Sequence, residues 1–379
     1  MRFSRRLLCR LLVLSLAAAA LPISASRAAE AKSYDEMVAK AVEFLSTKGQ
    51  ADDGSFSQQA SPAVTAIVVE SLLKQGRSPD DPVVAKGLKY LEGLAQPDGG
   101  IYRPGTFHQN YETCISVMAF QSANKDGRYA DLIKRADAYL RDIQNDEGEG
   151  HGKESLSYGG AGYGRSKRPD LSNTSFLLDA LKATGAGPDD PAVQKALVFV
   201  SQCQNLESPY NTGPWAAKNP DGGFYYTAAA GGQSQAGQIP DGGLRSYGSM
   251  TYAGLKSMIY AGVGPDDPRV KAALAWLKKH YSLTENPGMG DSSPDPTMKQ
   301  AGLYYYYNTF AKALAALGED KFVDDTGTAH DWRSELIAEL AKRQQPDGSW
   351  INEQAKWMEG DPNLVTAYAL LALHSARAK

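Results

Sequence analysis

The sequence predicts an all-α protein built from six helical hairpins, and three observations lead there. A helix–loop–helix unit recurs six times, a threonine opens an apolar run in every unit, and turns rich in Pro, Asp and Gly punctuate the chain. Units of this kind cannot bury their apolar faces alone, so they must stack on one another.

The first unit ends its opening helix near Leu45, turns through Gln50-Ala51-Asp52-Asp53-Gly54-Ser55-Phe56 and resumes at Thr65 with TAIVVESLLKQG. The second opens after Pro79-Asp80-Asp81-Pro82, reaches Leu91, turns through Gln96-Pro97-Asp98-Gly99-Gly100-Ile101 and resumes at Thr113 with TCISVMAFQSA. The third closes its opening helix near Leu140 and, after a Gly-rich loop, resumes at Thr174 with TSFLLDALKATG. The fourth opens after Pro188-Asp189-Asp190-Pro191 and reaches Val200. It turns through Asn219-Pro220-Asp221-Gly222-Gly223-Phe224 and resumes at Thr251 with TYAGLKSMIYAG. The fifth opens after Pro265-Asp266-Asp267-Pro268, reaches Leu277 and resumes at Thr309 with TFAKALAALG. The sixth reaches Leu340, turns through Gln345-Pro346-Asp347-Gly348-Ser349-Trp350 and resumes at Thr366 with TAYALLALHSA.

Each Asp-Asp-Pro run reads as a helix start. The aspartate caps free amides of the first turn, and the proline has no amide hydrogen to satisfy. The threonines read as caps or as close-packing positions on the second helices. Helix lengths hold steady while the loops grow, and the loops around 204–250 and 281–308 are long enough to act as lids.

Arg2, Arg5, Arg6 and Arg10 surround an apolar stretch from Leu11 to Leu21, and small residues follow around Ala25 to Ala29. We read residues 1–29 as an export signal, with Ser4-Arg5-Arg6-Leu7-Leu8 leaving the twin-arginine route open. Residues 30–379 read as one repeat domain that is periplasmic or secreted, with no further run long enough for a membrane helix. Removal of the signal takes away five arginines and no acid, so the acidic excess grows beyond the −3 of the full chain. That sign argues against nucleic acid as a partner. Only Cys114 and Cys203 then remain, and their pairing is open.

The Gln-x-x-Gly-x-Trp run ending at Trp350, its weaker copies and the six helical pairs resemble the squalene cyclase and prenyltransferase repeat superfamily. The resemblance implies an α/α toroid, with six inner helices ringed by six outer ones and the threonine-led helices as the inner set. It also places a cavity where the inner N-termini and the preceding loops converge. Tyr158-Gly159-Gly160-Ala161-Gly162-Tyr163-Gly164, running on to Pro169-Asp170-Leu171-Ser172-Asn173-Thr174, is similar to the loop and Asp-x-Asp-Asp-Thr motif of squalene-type cyclases. There the middle aspartate protonates the alkene or epoxide. Here Asp170 keeps the first acid, Ser172 stands at the donor position and Asn173 at the last acid. A serine hydroxyl is no substitute for a strong positioned acid, so standard cyclisation is disfavoured. The prenyltransferase zinc set is missing too: no Asp-x-Cys occurs and Val365 precedes Thr366. Cys-Gly-Glu-Gln, the thioester motif of other members, is also absent. We expect no metal, no thioester and no cofactor.

The remaining candidates are polar residues near the threonines. Glu112 and Asp170 are the candidate acids, each with helix capping as its alternative role. His108, Tyr111, Asn173, Tyr247, Tyr305 and Asn308 are candidate ligand contacts. Arg165, Lys167, Arg168 and Arg245 would hold a diphosphate if they converge at the mouth. Three functions stay open. The first is an apolar, isoprenoid-like ligand bound in the cavity, with non-standard cyclase or transferase chemistry. The second is a carbohydrate-active enzyme or glycan binder using tyrosines and acids. The third is a scaffold for protein partners.

Overall fold

A computed structural model describes residues 34–165 and 168–377. The export signal of residues 1–29, and Lys167, lie outside the described residues. Helix α1 covers residues 34–44 and ends in a wider turn at Leu45–Gly49. Helices α2 (Pro62–Lys74), α4 (Gln109–Ala123), α6 (Leu171–Ala183), α8 (Gly248–Tyr260), α10 (Leu303–Leu317) and α12 (Pro362–Ala376) alternate with α3 (Pro82–Glu92), α5 (Ala130–Asp142), α7 (Pro191–Gln202), α9 (Pro268–Lys279) and α11 (Trp332–Arg343).

The even-numbered helices touch in the closed order α2, α4, α6, α8, α10, α12 and back to α2. The chain is thus an α/α toroid, and burial shows why. Inner α2 is buried from Pro62 through Leu72, as a helix apolar all round must be. Outer α3 buries only Val84, Gly87, Leu88 and Leu91, one stripe at helical spacing. The hairpin reading joined each outer helix to the inner helix after it. In the fold, α3, α5 and α9 rest mainly on the inner helix before them, and α7 sits between α6 and α8.

Asp81, Asp190 and Asp267 cap α3, α7 and α9, accepting from the amides of Val83, Ala192 and Arg269 at 3.1, 2.9 and 2.8 Å. The threonines do not cap. The inner helices begin three to six residues before them, and the threonine side chains face back toward the turns. Thr65, Thr113, Thr174, Thr251 and Thr366 accept the backbone N–H of Phe56, Ile101, Ala161, Phe224 and Trp350 at 2.9–3.1 Å. Each bond satisfies a buried amide that would otherwise be orphaned. Thr309 donates to Tyr305 and Tyr306 of its own helix instead.

The turn glycine does a second job. At Gly222, with φ +81°, a side chain would meet the carbonyl oxygen of Ala272 on α9 at 2.8 Å, so only glycine lets the turn cross that helix. In four units a glutamine then ties the turn to the next outer helix, as where Gln204 donates to Arg269 O at 2.8 Å and Gln144 to Ala192 O at 3.0 Å. In the last unit that glutamine is Gln344, not Gln345. Its bond to Met37 O at 2.9 Å joins α11 to α1 and helps close the ring.

Candidate functional site

The inner helices gather their N-terminal ends around a cavity of about 340 Å³, with a vestibule of about 330 Å³ beside it. Ala63, Tyr111, Ser172, Ser249 and Leu364 line the cavity from five different helices. Every one of them lies two residues before its helix's threonine. Two residues turn a helix by about 200°, so a threonine facing the outer turn sets position −2 toward the axis. In α10, which starts earlier relative to Thr309, position −4 takes that place and Tyr305 lines the cavity.

Aromatic rings run along the wall from α4 to α12. Ring centroids are 5.4 Å apart for Tyr111–Phe176, and 6.0 Å for both Phe176–Tyr305 and Tyr305–Tyr368. Tyr305 Oη lies 2.9 Å from Ser172 Oγ, and the Tyr111 and Tyr368 hydroxyls neighbour each other. Burial pushes all three phenols well up, so they stay neutral.

Two buried carboxyls border this space. Asp170 caps α6 through the Asn173 amide at 2.9 Å, accepts from Asn173 Nδ2 at 2.8 Å, and lines the vestibule with Arg168, His108, Tyr163 and Tyr226. Burial outweighs those bonds and pushes its carboxyl up to about 6. Glu359 lines the cavity itself. It accepts from the Tyr305 amide at 2.8 Å, the Tyr304 amide at 3.2 Å and Asn352 Nδ2 at 2.7 Å, and burial pushes it up to about 7.

Both folded-state values stand above the unfolded ones, so both groups stabilise the fold most below the unfolded carboxyl range. That contribution is lost as pH rises through about 6 and about 7. Unfolding by urea across pH 4 to 8 is expected to show a decline of this sign. Asp170→Asn and Glu359→Gln should each flatten it by up to about one proton. A slope unchanged in both variants would refute the assignment.

The other candidates separate sharply. His108, Tyr111, Tyr247 and Tyr305 line the cavity. Glu112 does not: its carboxylate holds the preceding loop, accepting from Ser61 Oγ, Thr106 Oγ1 and the Arg103 amide at 3.1, 3.2 and 2.9 Å. It lies at position −1, on the flank of the helix. Asn173 and Asn308 are buried at the same position, and neither lines the cavity. The three described arginines do not converge. Arg168 reaches the vestibule and bonds Gln233, Arg165 turns to Asp142 and Glu149, and Arg245 bonds the Gln238 carbonyl. A diphosphate clamp is not formed by them.

Residues missed in the sequence include Phe176 and Tyr368, each two positions after a threonine, and Tyr163, Tyr226, Trp357 and Glu359 from loops. The first pair was recoverable from helical phase; the loop residues carried no signal. Cys114 and Cys203 are free and buried. Among the described residues, no His, Cys, Asp and Glu group is arranged to hold a metal, and no helix is long and apolar enough to cross a membrane.

Ring and cavity together define a toroid protein with an internal cavity at the N-terminal ends of its inner helices. Residues 25–227 match the family model of the squalene-hopene cyclase C-terminal domain, more than half of the chain, and the protein belongs to that family. The squalene–hopene cyclase of Bradyrhizobium diazoefficiens is 30% identical over 165 residues, which is 43% of this chain but 24% of the enzyme. The match therefore spans about a quarter of that relative's length. Among solved structures, a ligand-free variant of the type II terpene cyclase MstE from Scytonema superposes with a TM-score of 0.54 at 14% identity, covering 92% of this chain and 98% of that one. A variant glycosidase superposes at 0.51 and 12% identity, covering 92% and 98%. At such identities these two likenesses show the fold alone.

Proposed function

We propose that the chain is an exported member of this family that binds an apolar, isoprenoid-like ligand in the central cavity. The observation that carries this reading is the lining of the cavity: Tyr111, Phe176, Tyr305 and Tyr368 stand with Ala63, Val64, Met250 and Leu364, mostly ring and aliphatic surface. Tyr305 also pairs its hydroxyl with Ser172. A sugar ligand would need more polar groups than this lining offers, so the glycan reading is weaker despite the glycosidase-like fold. An open cavity also favours a ligand over a pure scaffold. Its volume stands near the lower end of the roughly 300–1,000 Å³ usual for small-molecule sites.

Ser172 occupies the cavity-facing place where squalene-type cyclases carry their proton donor, so any turnover is non-standard. Asp170, kept partly protonated by burial at the vestibule, is then the general acid. Glu112 has no part in this proposal, because its carboxylate is engaged with the loop.

The test is organic extraction of the natively purified, exported protein, with mass spectrometry of what co-purifies. An isoprenoid or similar lipid at near one per chain is expected. A clean extract, together with no binding of added prenyl alcohols, overturns the proposal.

A further inference from the structure

The segment before α12 is unlike the rest of the cavity wall. Trp357 and Met358 are consecutive non-glycine residues in the left-handed region, with φ of 55° and 67°. Each such residue is strained and persists only where its surroundings hold it. Here Gly302, the residue before α10, provides the seat: a Cβ on it would stand 3.0 Å from the Trp357 ring. The strained pair thereby brings the Trp357 and Met358 side chains and the Glu359 carboxylate to one cavity.

Glu359 is 1% exposed, and among the described residues no lysine or arginine lies within 4 Å of it. Its three donors are neutral amides. The N-terminus of α10 adds the equivalent of about half a positive charge, which leaves an ionised carboxylate roughly half compensated. Among the described residues, no lysine or arginine lines the central cavity either. What faces the interior instead is a set of rings, Tyr111, Phe176, Tyr305 and Tyr368, while Trp357 borders the cavity at its exposed side with Lys356 Nζ 4.6 Å over its ring. Ring faces attract positive charge, most strongly where water is excluded. A buried carboxylate short of a counter-charge and a surround of π faces both favour an occupant with a positive centre.

We propose that the ligand is an apolar molecule ending in an ammonium group, seated among Tyr111, Tyr305 and Tyr368 with its charge toward Glu359. This rests on the central cavity being the ligand site, and it names the chemical class that site selects. The apolar tail lies against Val64, Met250 and Leu364, which line the same cavity.

The probes are a ten-carbon prenyl chain carrying trimethylammonium and its uncharged isostere with a tert-butyl group in that place. Both are titrated into the full mature protein at pH 8, where Glu359 is ionised, by calorimetry and tryptophan fluorescence. The cation is expected to bind at least about tenfold more tightly, a difference of about 1.4 kcal/mol. Glu359→Gln should narrow the difference between the two affinities. Tyr368→Leu should weaken the cation more than the isostere. Equal binding of both probes to the wild-type protein overturns this inference and leaves the apolar-ligand proposal standing. Binding of neither overturns both. Should Glu359→Gln unfold, as circular dichroism would show, the wild-type comparison and Tyr368→Leu decide the matter alone.

Discussion

Asp179→Asn is expected to destabilise the fold by about 3–5 kcal/mol, the usual effect of removing one partner of a buried ion pair. Asp179 on α6 accepts from Lys256 Nζ on α8 at 2.6 Å and from Lys312 Nζ on α10 at 3.3 Å. These groups lie one to two turns further along the helix faces that line the cavity and form a charged floor, beside Glu70 of α2, whose carboxyl burial pushes up. Lys256 is 2% exposed and Glu70 5%, so no water is at hand to replace a lost partner. Burial by itself would raise the Asp179 carboxyl; Lys256 and Lys312 outweigh it and hold the group below its ordinary value. Its contribution is therefore present above the unfolded carboxyl range and is lost as pH falls through the folded value. The difference between wild type and variant, measured by urea unfolding, should shrink in acid. Replacing the whole cluster, Asp179→Leu with Lys256→Met and Lys312→Met, should recover much of the loss, since apolar replacements remove the desolvation cost and leave no ammonium unpaired. A loss under about 1 kcal/mol at neutral pH would mean that the floor is not held by this pair.

Ala63→Trp should abolish ligand binding, with a loss of at least about a hundredfold, or about 2.7 kcal/mol. Ala63 faces the axis from α2 at the position two before Thr65, and an indole there fills space that the ligand would occupy. The side chain enters an existing cavity rather than a packed core, so the overpacking cost of about 1–3 kcal/mol should be largely avoided. Affinity for a prenyl probe and the melting temperature, measured on the same preparation, separate the two effects. Retained affinity in a folded variant would place the ligand elsewhere.

The repeated threonines located the inner helices and were read as caps or as close-packing positions. As assumed caps they drew attention to Glu112, Asn173 and Asn308 at position −1, on the helix flank. Five threonine side chains instead accept an amide from the neighbouring turn, which rotates position −2 into the cavity. Knowing that bond, Tyr111 and Ser172 follow from 100° per residue. Glu359 does not follow from any pattern. It stabilises the N-terminus of α10, more than fifty residues earlier in the chain, where Thr309 bonds within its own helix.

Local chemistry in the sequence determined the helix order, the Asp-Pro starts, the turn glycines and the family's repeat. Each of these depends on neighbours within a few residues, through capping, backbone angles and helical period. Closure of the ring decided the rest. It joined residues far apart in sequence around one axis, and so chose which polar groups are buried together. Asp179 with Lys256 and Lys312, and Glu359 with the rings of α4, α10 and α12, exist as sites only there. Their energetics come from the water that closure excludes, a property no single segment carries.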